Sequence, residues 1–168
     1  MQGKLQKVYR VSKEIAQNSL FEGSIQLSQL PRLCSLVIPH ETEISLRFEF
    51  ATSLFELPSI RGHIATELQL ECQRCLEPVS QIIDADFDLL IDATDDDVQA
   101  FQQDTVYSDE GYLNVFEVIE DELILSLPQI ALHEDITCNP YWQPEAEQHQ
   151  AVTKENPFAV LKSLKEKT

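Results

Sequence analysis

The sequence predicts an α+β fold: an antiparallel β-meander, curled into a partly closed sheet, packs against one main amphipathic helix, with a C-terminal linker and short helix beyond. Three observations carry that expectation. Apolar and polar residues alternate in three runs, at 44–50, 64–70 and 83–91, with short connections between them, as strands of one antiparallel sheet do. The period then changes to that of a helix from Asn114 to Leu127. Finally, 43% hydrophobic residues in 168 suffice for one sizeable core without a disulfide framework.

Taken in order, Phe21-Glu22-Gly23-Ser24-Ile25 reads as a short strand with Gly23 as a bulge or bend. Leu27, Leu30, Leu33, Leu36 and Val37 form a near-helical stripe, which confines Pro31 to its first turn. Cys34 falls inside that stripe and reads as a small buried hydrophobe. Ile44, Leu46, Phe48 and Phe50 then alternate with Ser45, Arg47 and Glu49. A connection through Pro58 and Arg61-Gly62 leads to the second run, Ile64, Thr66, Leu68 and Leu70 against Glu67, Gln69 and Glu71. Cys72-Gln73-Arg74-Cys75 occupies the tip of the next hairpin, and Ile83, Ala85, Phe87, Leu89 and Ile91 return against Asp84, Asp86 and Asp88.

Residues 92–110 read as an acidic exposed loop; Asp95-Asp96-Asp97 lacks the spaced oxygens and glycine of a calcium loop. The main helix opens with Asn114 as N-cap, Glu117 completing a capping box and Leu113 and Val118 placed as a staple. Phe116, Ile119, Leu123 and Leu127 line its core face, while Glu117, Glu120, Asp121 and Glu122 are expected on the solvated side. Pro128 ends it, and Ile130-Ala131-Leu132 is expected as a short strand. The core domain is thus 1–138, followed by a polar linker over 139–155. A short helix over 156–168 has Asn156 as cap and Pro157 at its first position. Phe158, Leu161 and Leu164 give that helix one apolar side opposite its lysines, and it docks either on its own domain or on a partner.

Charge is partitioned unevenly. Residues 1–74 hold eight Lys/Arg and eight Asp/Glu; residues 75–153 hold nineteen acids and no Lys or Arg; the last fifteen hold four lysines and two glutamates. The net charge of −17 therefore sits in one block. Such a surface repels phosphate backbones and suits a basic protein partner, whose approach it steers. The same acids would also serve solubility alone. The N-terminus lacks the apolar segment of a secretory signal, and no run reaches the roughly 18 apolar residues of a membrane span. A cytoplasmic location with reduced thiols and no membrane association is expected.

Few chemistries fit. There is no phosphate-cradling glycine loop, nucleophile elbow or zincin motif. The histidines His40, His63, His133 and His149 are scattered. Cys72 and Cys75 leave three readings open. A redox pair asks for a helix N-terminus in a βαβ unit, whereas this pair lies between strands. A zinc site needs four ligands, and His133 with Cys138 is the later pair close in sequence that completes a set of Cys72, Cys75, His133 and Cys138. The expectation is the third reading, a structural turn in which the thiols simply pack and no cofactor is bound, with zinc kept as the second choice.

Three stretches in order and at the right spacing carry a resemblance to the YceD family: Leu70-Glu71-Cys72-Gln73-Arg74-Cys75-Leu76, Val118 to Pro128, and Asn156 to Leu161 with Lys162, Leu164 and Lys165. Phe21-Glu22-Gly23 and Leu30-Pro31-Arg32-Leu33 agree as well. The resemblance implies a bacterial protein supporting the synthesis, processing or stability of large-subunit (23S) ribosomal RNA. It also implies a genomic setting beside a small basic ribosomal protein of that subunit. Many family members add a C-terminal cysteine cluster to the first pair; this chain keeps Cys138, preceded by His133. No catalytic residue comes with the resemblance.

The resulting expectation is a non-enzymatic ribosome-biogenesis factor. It binds a basic large-subunit ribosomal protein or pre-ribosomal particle, and its contact with rRNA is indirect. The candidate partner-binding residues are Cys72, Arg74, Cys75, Glu117, Glu120, Asp121, Phe158 and Leu161. One alternative is direct rRNA binding through the N-terminal part, with Arg32, Arg47, Arg61 and Arg74 as phosphate contacts. Another, of a different class, is a thiol- or metal-dependent enzyme using Cys72 and Cys75.

Overall fold

The protein is described from a computed structural model, covering residues 5–54 and 56–139. Its contacts divide the chain into two units, Met1–Cys138 and Asn139–Thr168. The expected linker over 139–155 and helix over 156–168, with Phe158 and Leu161, lie outside the described residues except for Asn139.

The first unit is α+β, with a curled sheet that is antiparallel but for one short pairing. Strands β2 (Leu20–Gln26), β3 (Glu43–Thr52), β4 (Pro58–Glu71), β5 (Pro78–Ile91) and β6 (Thr105–Val106) follow one another in space in chain order. β5 and β6 are parallel; the other neighbours are antiparallel, so β2 to β5 form the expected meander. β1 (Val8–Arg10) leaves this sheet and pairs with β7 (Tyr112–Asn114), far along the chain. Four helices complete the unit: α1 (Val11–Ala16), α2 (Pro31–Cys34), α3 (Asp95–Phe101) and α4 (Val115–Ser126). No helix among the described residues is long and apolar enough to cross a membrane.

Period-2 alternation puts Ile44, Leu46, Phe48 and Phe50 of β3 on the buried face, beside Ile60, Ile64 and Leu68 of β4. Phe21, Phe48 and Phe50 cluster with Tyr9 of β1, whose ring centroid lies 4.6 Å from that of Phe21. The cluster ties the small β1–β7 ribbon to the main sheet. Along α4, Val115, Phe116, Val118, Ile119 and Leu123 are buried and face β5 and β1. The expected core helix is therefore present.

Several local expectations are corrected. Gly23 is neither bulge nor bend, because β2 pairs with β3 without a skipped residue. Its missing side chain instead makes room for Leu5, since a Cβ there would lie 2.7 Å from Leu5 Cδ1. Pro58 and Arg61-Gly62 are not a connection but the first half of β4. Gly62 lies between Phe48 and Phe87 in the register, and a Cβ on it would come within 2.4 Å of the Arg47 carbonyl oxygen. Only hydrogen fits there, since the tip of the Phe87 ring and the Phe48 Cβ also lie 2.7 and 2.8 Å from that position. The stripe at 27–37 breaks at Leu30 into a 3-10 turn (Leu27–Gln29) and the single turn of α2, with Pro31 at its first position. Cys34 is half-buried there and its thiol donates to the Leu27 carbonyl at 3.1 Å.

The acidic stretch 92–110 is not simply a loop. Thr94 caps α3, accepting from the Asp97 N–H at 3.3 Å while the Asp97 carboxylate accepts from the Thr94 N–H at 3.0 Å. This T-x-x-D capping box was present in the sequence. Ile130-Ala131-Leu132 forms no strand. At α4, Asn114 makes no side-chain bond to the helix backbone; its Nδ2 donates to the Glu117 carboxylate at 2.6 Å.

Glu120 is the largest departure. It is not on the solvated side of α4 but buried, 4% exposed, under the start of α2. Its Oε1 accepts from the N–H groups of Arg32 at 2.6 Å and Leu33 at 3.1 Å, and its Oε2 from Arg32 Nε at 2.9 Å. Arg32 reaches on to Asp121 at 2.6 Å. A buried carboxylate is tolerated when its lone pairs are filled this way. Glu120→Ala leaves two N–H groups and a guanidinium short of an acceptor and is expected to cost about 3 kcal/mol. Asp121→Ala, on the exposed side of the same arginine, is expected to cost under about 1 kcal/mol. Urea unfolding of the two variants measures the difference.

Candidate metal centre

The loop from Cys72 to Glu77 that joins β4 to β5 is folded by its own backbone. The Cys72 N–H donates to the Glu77 carbonyl at 3.0 Å and the Leu76 N–H returns to the Cys72 carbonyl at 2.9 Å. Leu76 takes a left-handed φ of 65° to close this turn and is left 67% exposed. Cys72 is fully buried; Cys75 is half-buried. The turn aims backbone N–H groups of Cys75 and Arg74 at the Cys72 sulfur, joined by that of His133. Desolvation pushes the Cys72 thiol up, but these amide bonds and the Cys75 side chain outweigh it and bring its pKa down to about 5.

The other half of the site comes from the segment after α4, which hydrogen bonds hold to the hairpin. The Gln73 N–H donates to the Ala131 carbonyl at 2.9 Å. Arg74 Nη2 donates to the carbonyls of His133 and Asp135, the latter at 3.0 Å. The Asp135 carboxylate accepts from the N–H and hydroxyl of Thr137 at 2.8 and 2.7 Å, and its pKa is lowered chiefly by that hydroxyl. This bend returns Cys138 to within 4.0 Å of the Cys72 sulfur.

His133 completes the set. Its Nε2 lies 3.0 Å from the Pro78 carbonyl, an acceptor only, so Nε2 carries hydrogen. Nδ1 is thereby presented to the Cys75 sulfur at 3.4 Å. A second hydrogen bond that fixes tautomer and ring orientation is what a ligating histidine needs. The ligand atoms of Cys72, Cys75, His133 and Cys138 all lie within 4.8 Å of one another. Around a tetrahedral zinc with bonds of about 2.0–2.3 Å, neighbouring donors sit roughly 3.4–3.8 Å apart. The donor set therefore fits zinc in number and softness, and its approaches of 3.4 and 4.0 Å are close to that spacing. Burial and the neighbouring thiols Cys75 and Cys72 push the Cys138 thiol up to about 11, as befits one of several sulfurs sharing a small space.

The candidate residues separate. Cys72, Cys75, His133 and Cys138 come together. Arg74 is a clamp within the fold, and the burial of Glu120 removes it from any docking surface. Glu117 and Asp121 remain exposed on α4. The phosphate-contact alternative loses anchors: Arg32 is held by Glu120 and Asp121, Arg61 by Glu49 at 2.5 Å and Arg74 by two carbonyls. Sequence reasoning missed the Arg32–Glu120 contact, although Glu120 stands four residues after Phe116 on the helical stripe. Nothing in the sequence pointed to the Pro78 or Ala131 carbonyls, whose roles depend on tertiary placement.

The family model described as "Large ribosomal RNA subunit accumulation protein YceD" matches residues 60–165. A curated protein of that same description from Haemophilus influenzae (strain ATCC 51907 / DSM 11121 / KW20 / Rd) is 29% identical over 153 residues, 88% of each chain. No solved structure matches. The matched span takes in the thiol hairpin, α4 and Cys138, and the chain belongs to the YceD family.

Arg74→Ala removes the clamp without touching a ligand atom. Amide exchange over Ala131–Cys138 is expected to rise about tenfold, while that of β3 stays unchanged. Hydrogen-exchange mass spectrometry reads both segments in one experiment.

Proposed function

We propose that this protein is a non-enzymatic factor in the accumulation of large-subunit ribosomal RNA, acting by binding a basic ribosomal protein or a precursor particle of that subunit. The observation that carries the reading is the character of the surface between residues 84 and 122. Asp84, Asp86, Asp88, Asp95, Asp96, Glu117 and Asp121 are exposed there, and no Lys or Arg occurs in the sequence from 75 to 153. Arg32 meets Asp121, and Arg61 and His63 of β4 stand opposite Asp88 and Asp86. The carboxylates outnumber these cations, and a net negative field speeds the arrival of a basic partner and resists bare RNA. The printed name of the family and of the Haemophilus influenzae relative supplies the process.

Zinc on Cys72, Cys75, His133 and Cys138 is part of the proposal. Four protein ligands close a tetrahedral site, which supports a structural role rather than an open catalytic one. When bound, the metal supplies a cross-link between the hairpin tip and the 133–138 segment.

Two measurements test the reading. A strain lacking the protein is expected to show reduced free and assembled large subunits on sucrose gradients and reduced large rRNA; normal levels of both overturn the ribosomal role. The purified full chain, loaded with cobalt(II), is expected to show thiolate charge-transfer absorption and one metal per chain. Both are expected to be lost in Cys72→Ser and weakened at least about tenfold in His133→Ala.

A further inference from the structure

Among the described residues, β5 has an edge that is largely unpaired. The strand runs from Pro78 to Ile91, yet β6 pairs only with Leu90 and Ile91. The direction of its backbone groups is fixed where β6 begins, because the Leu90 N–H donates outward to the Asp104 carbonyl at 2.9 Å. By alternation, the N–H and C=O groups of the even-numbered residues before it also point away from β4. Side chains take up the carbonyls of Pro78, Ile82 and Asp88, through His133, Gln81 and Gln103. The outward groups of Ser80, Asp84 and Asp86, and the N–H groups of Ile82 and Asp88, meet no partner among the described residues.

The side chains of these same residues stand together on the outer face. Ser80, Ile82, Asp84, Asp86 and Asp88 are all exposed, Ile82 by 74%. Beside Ile82 a groove of about 760 Å³ opens between β5 and the 132–138 segment; Ile82, Leu132, Glu77 and Glu134 line it together with Cys75, His133 and Cys138 of the candidate metal centre. A strand added to a sheet edge places its own side chains directly opposite those of its neighbour. Opposite Asp84, Asp86 and Asp88, a second copy of this strand would set carboxylate against carboxylate, which guards the edge against self-association. A strand carrying cations at alternate positions meets the reverse situation.

We propose that the open edge of β5 receives an extended basic segment of a partner protein, with Lys or Arg at every second residue above Asp84, Asp86 and Asp88 and an apolar residue in the groove beside Ile82. This names the site and the conformation for the binding role proposed above, and it rests on that reading.

The test uses the full chain and two synthetic probes at physiological salt. One is a short peptide alternating lysine with valine and carrying one terminal isoleucine. The other has the same sequence, but with N-methyl groups on alternate amides so that no strand can form along that side. Fluorescence anisotropy is expected to give at least about tenfold tighter binding for the first, with slowed amide exchange at Ser80–Asp88. The double variant Asp84→Lys/Asp86→Lys is expected to lose about tenfold in affinity, and Asp95→Lys/Asp96→Lys, of equal net charge on α3, less than about threefold.

Exchange rates in β3 confirm that both variants are folded. Equal affinity for the two probes, no protection along β5, equal loss in the two variants, or no binding at all overturns the proposal. Capture of a basic ribosomal protein that survives reversal of Asp84 and Asp86 removes this edge while leaving the binding role intact. Normal ribosomes in the deletion strain would remove the ribosomal role and leave a peptide-competent edge standing.

Discussion

The β4–β5 hairpin is longer than the sheet that carries it, and the location of the candidate metal centre follows from that overreach. β3 accompanies β4 only as far as Ala65, so Thr66–Glu71 has a strand neighbour on one side alone, in β5. A two-stranded ribbon is marginal in water. Loops therefore flank it: the Ile38 N–H reaches the Gln69 carbonyl at 2.8 Å, and Thr42 and His40 reach that of Glu67 at 3.3 Å. At the tip the 131–138 segment takes over, through Ala131, Arg74 and the thiol cluster. The chemistry gathers where regular pairing runs out.

A second constraint is the burial of Glu120, which explains why two distant family-marking stretches belong together. Leu30-Pro31-Arg32-Leu33 and the helix through Val118–Leu127 meet at one carboxylate. It also alters the electrostatic account. Arg32, Arg61 and Arg74 are engaged by carboxylates or carbonyls of the fold. Three of the four arginines that look available in the sequence are thus engaged, and Asp86 and Asp84 in turn approach His63 at 2.9 and 3.8 Å while remaining exposed.

Much of the fold was legible because burial on one face leaves a period. Ile44 to Phe50, Ile64 to Leu70 and Phe116 to Leu123 all lie where alternation or helical spacing placed them. What period cannot reveal is a residue chosen for what it lacks or for a distant partner. Gly62 looked like a turn because glycine usually marks one, and its reason is the Phe87 ring packed over it. Glu120 looked solvated because a carboxylate usually is. In the candidate site, C-x-x-C drew attention through its spacing, and His133 with Cys138 through nearness in sequence. Their approach to within 4.8 Å depends on a proline carbonyl and an arginine clamp that no spacing encodes.

The pairing of β1 with β7 carries a consequence for biosynthesis. Val8, Tyr9 and Arg10 are made before the meander, yet their partners are Asn114, Leu113 and Tyr112. Val115, which opens α4, also donates its N–H to the Lys7 carbonyl at 3.0 Å. β1 thus waits for its strand partner through the synthesis of the whole meander, although Phe21, Phe48 and Phe50 can cover its tyrosine sooner. Such long-range closure is slow to form, because the loop entropy must be met before the contact gives anything back. In a nascent chain the pairing of β1 is completed only after the meander has been made. A chain truncated before Leu113 would keep most of its strands and yet leave β1 anchored by its tyrosine alone, without the strand it pairs with.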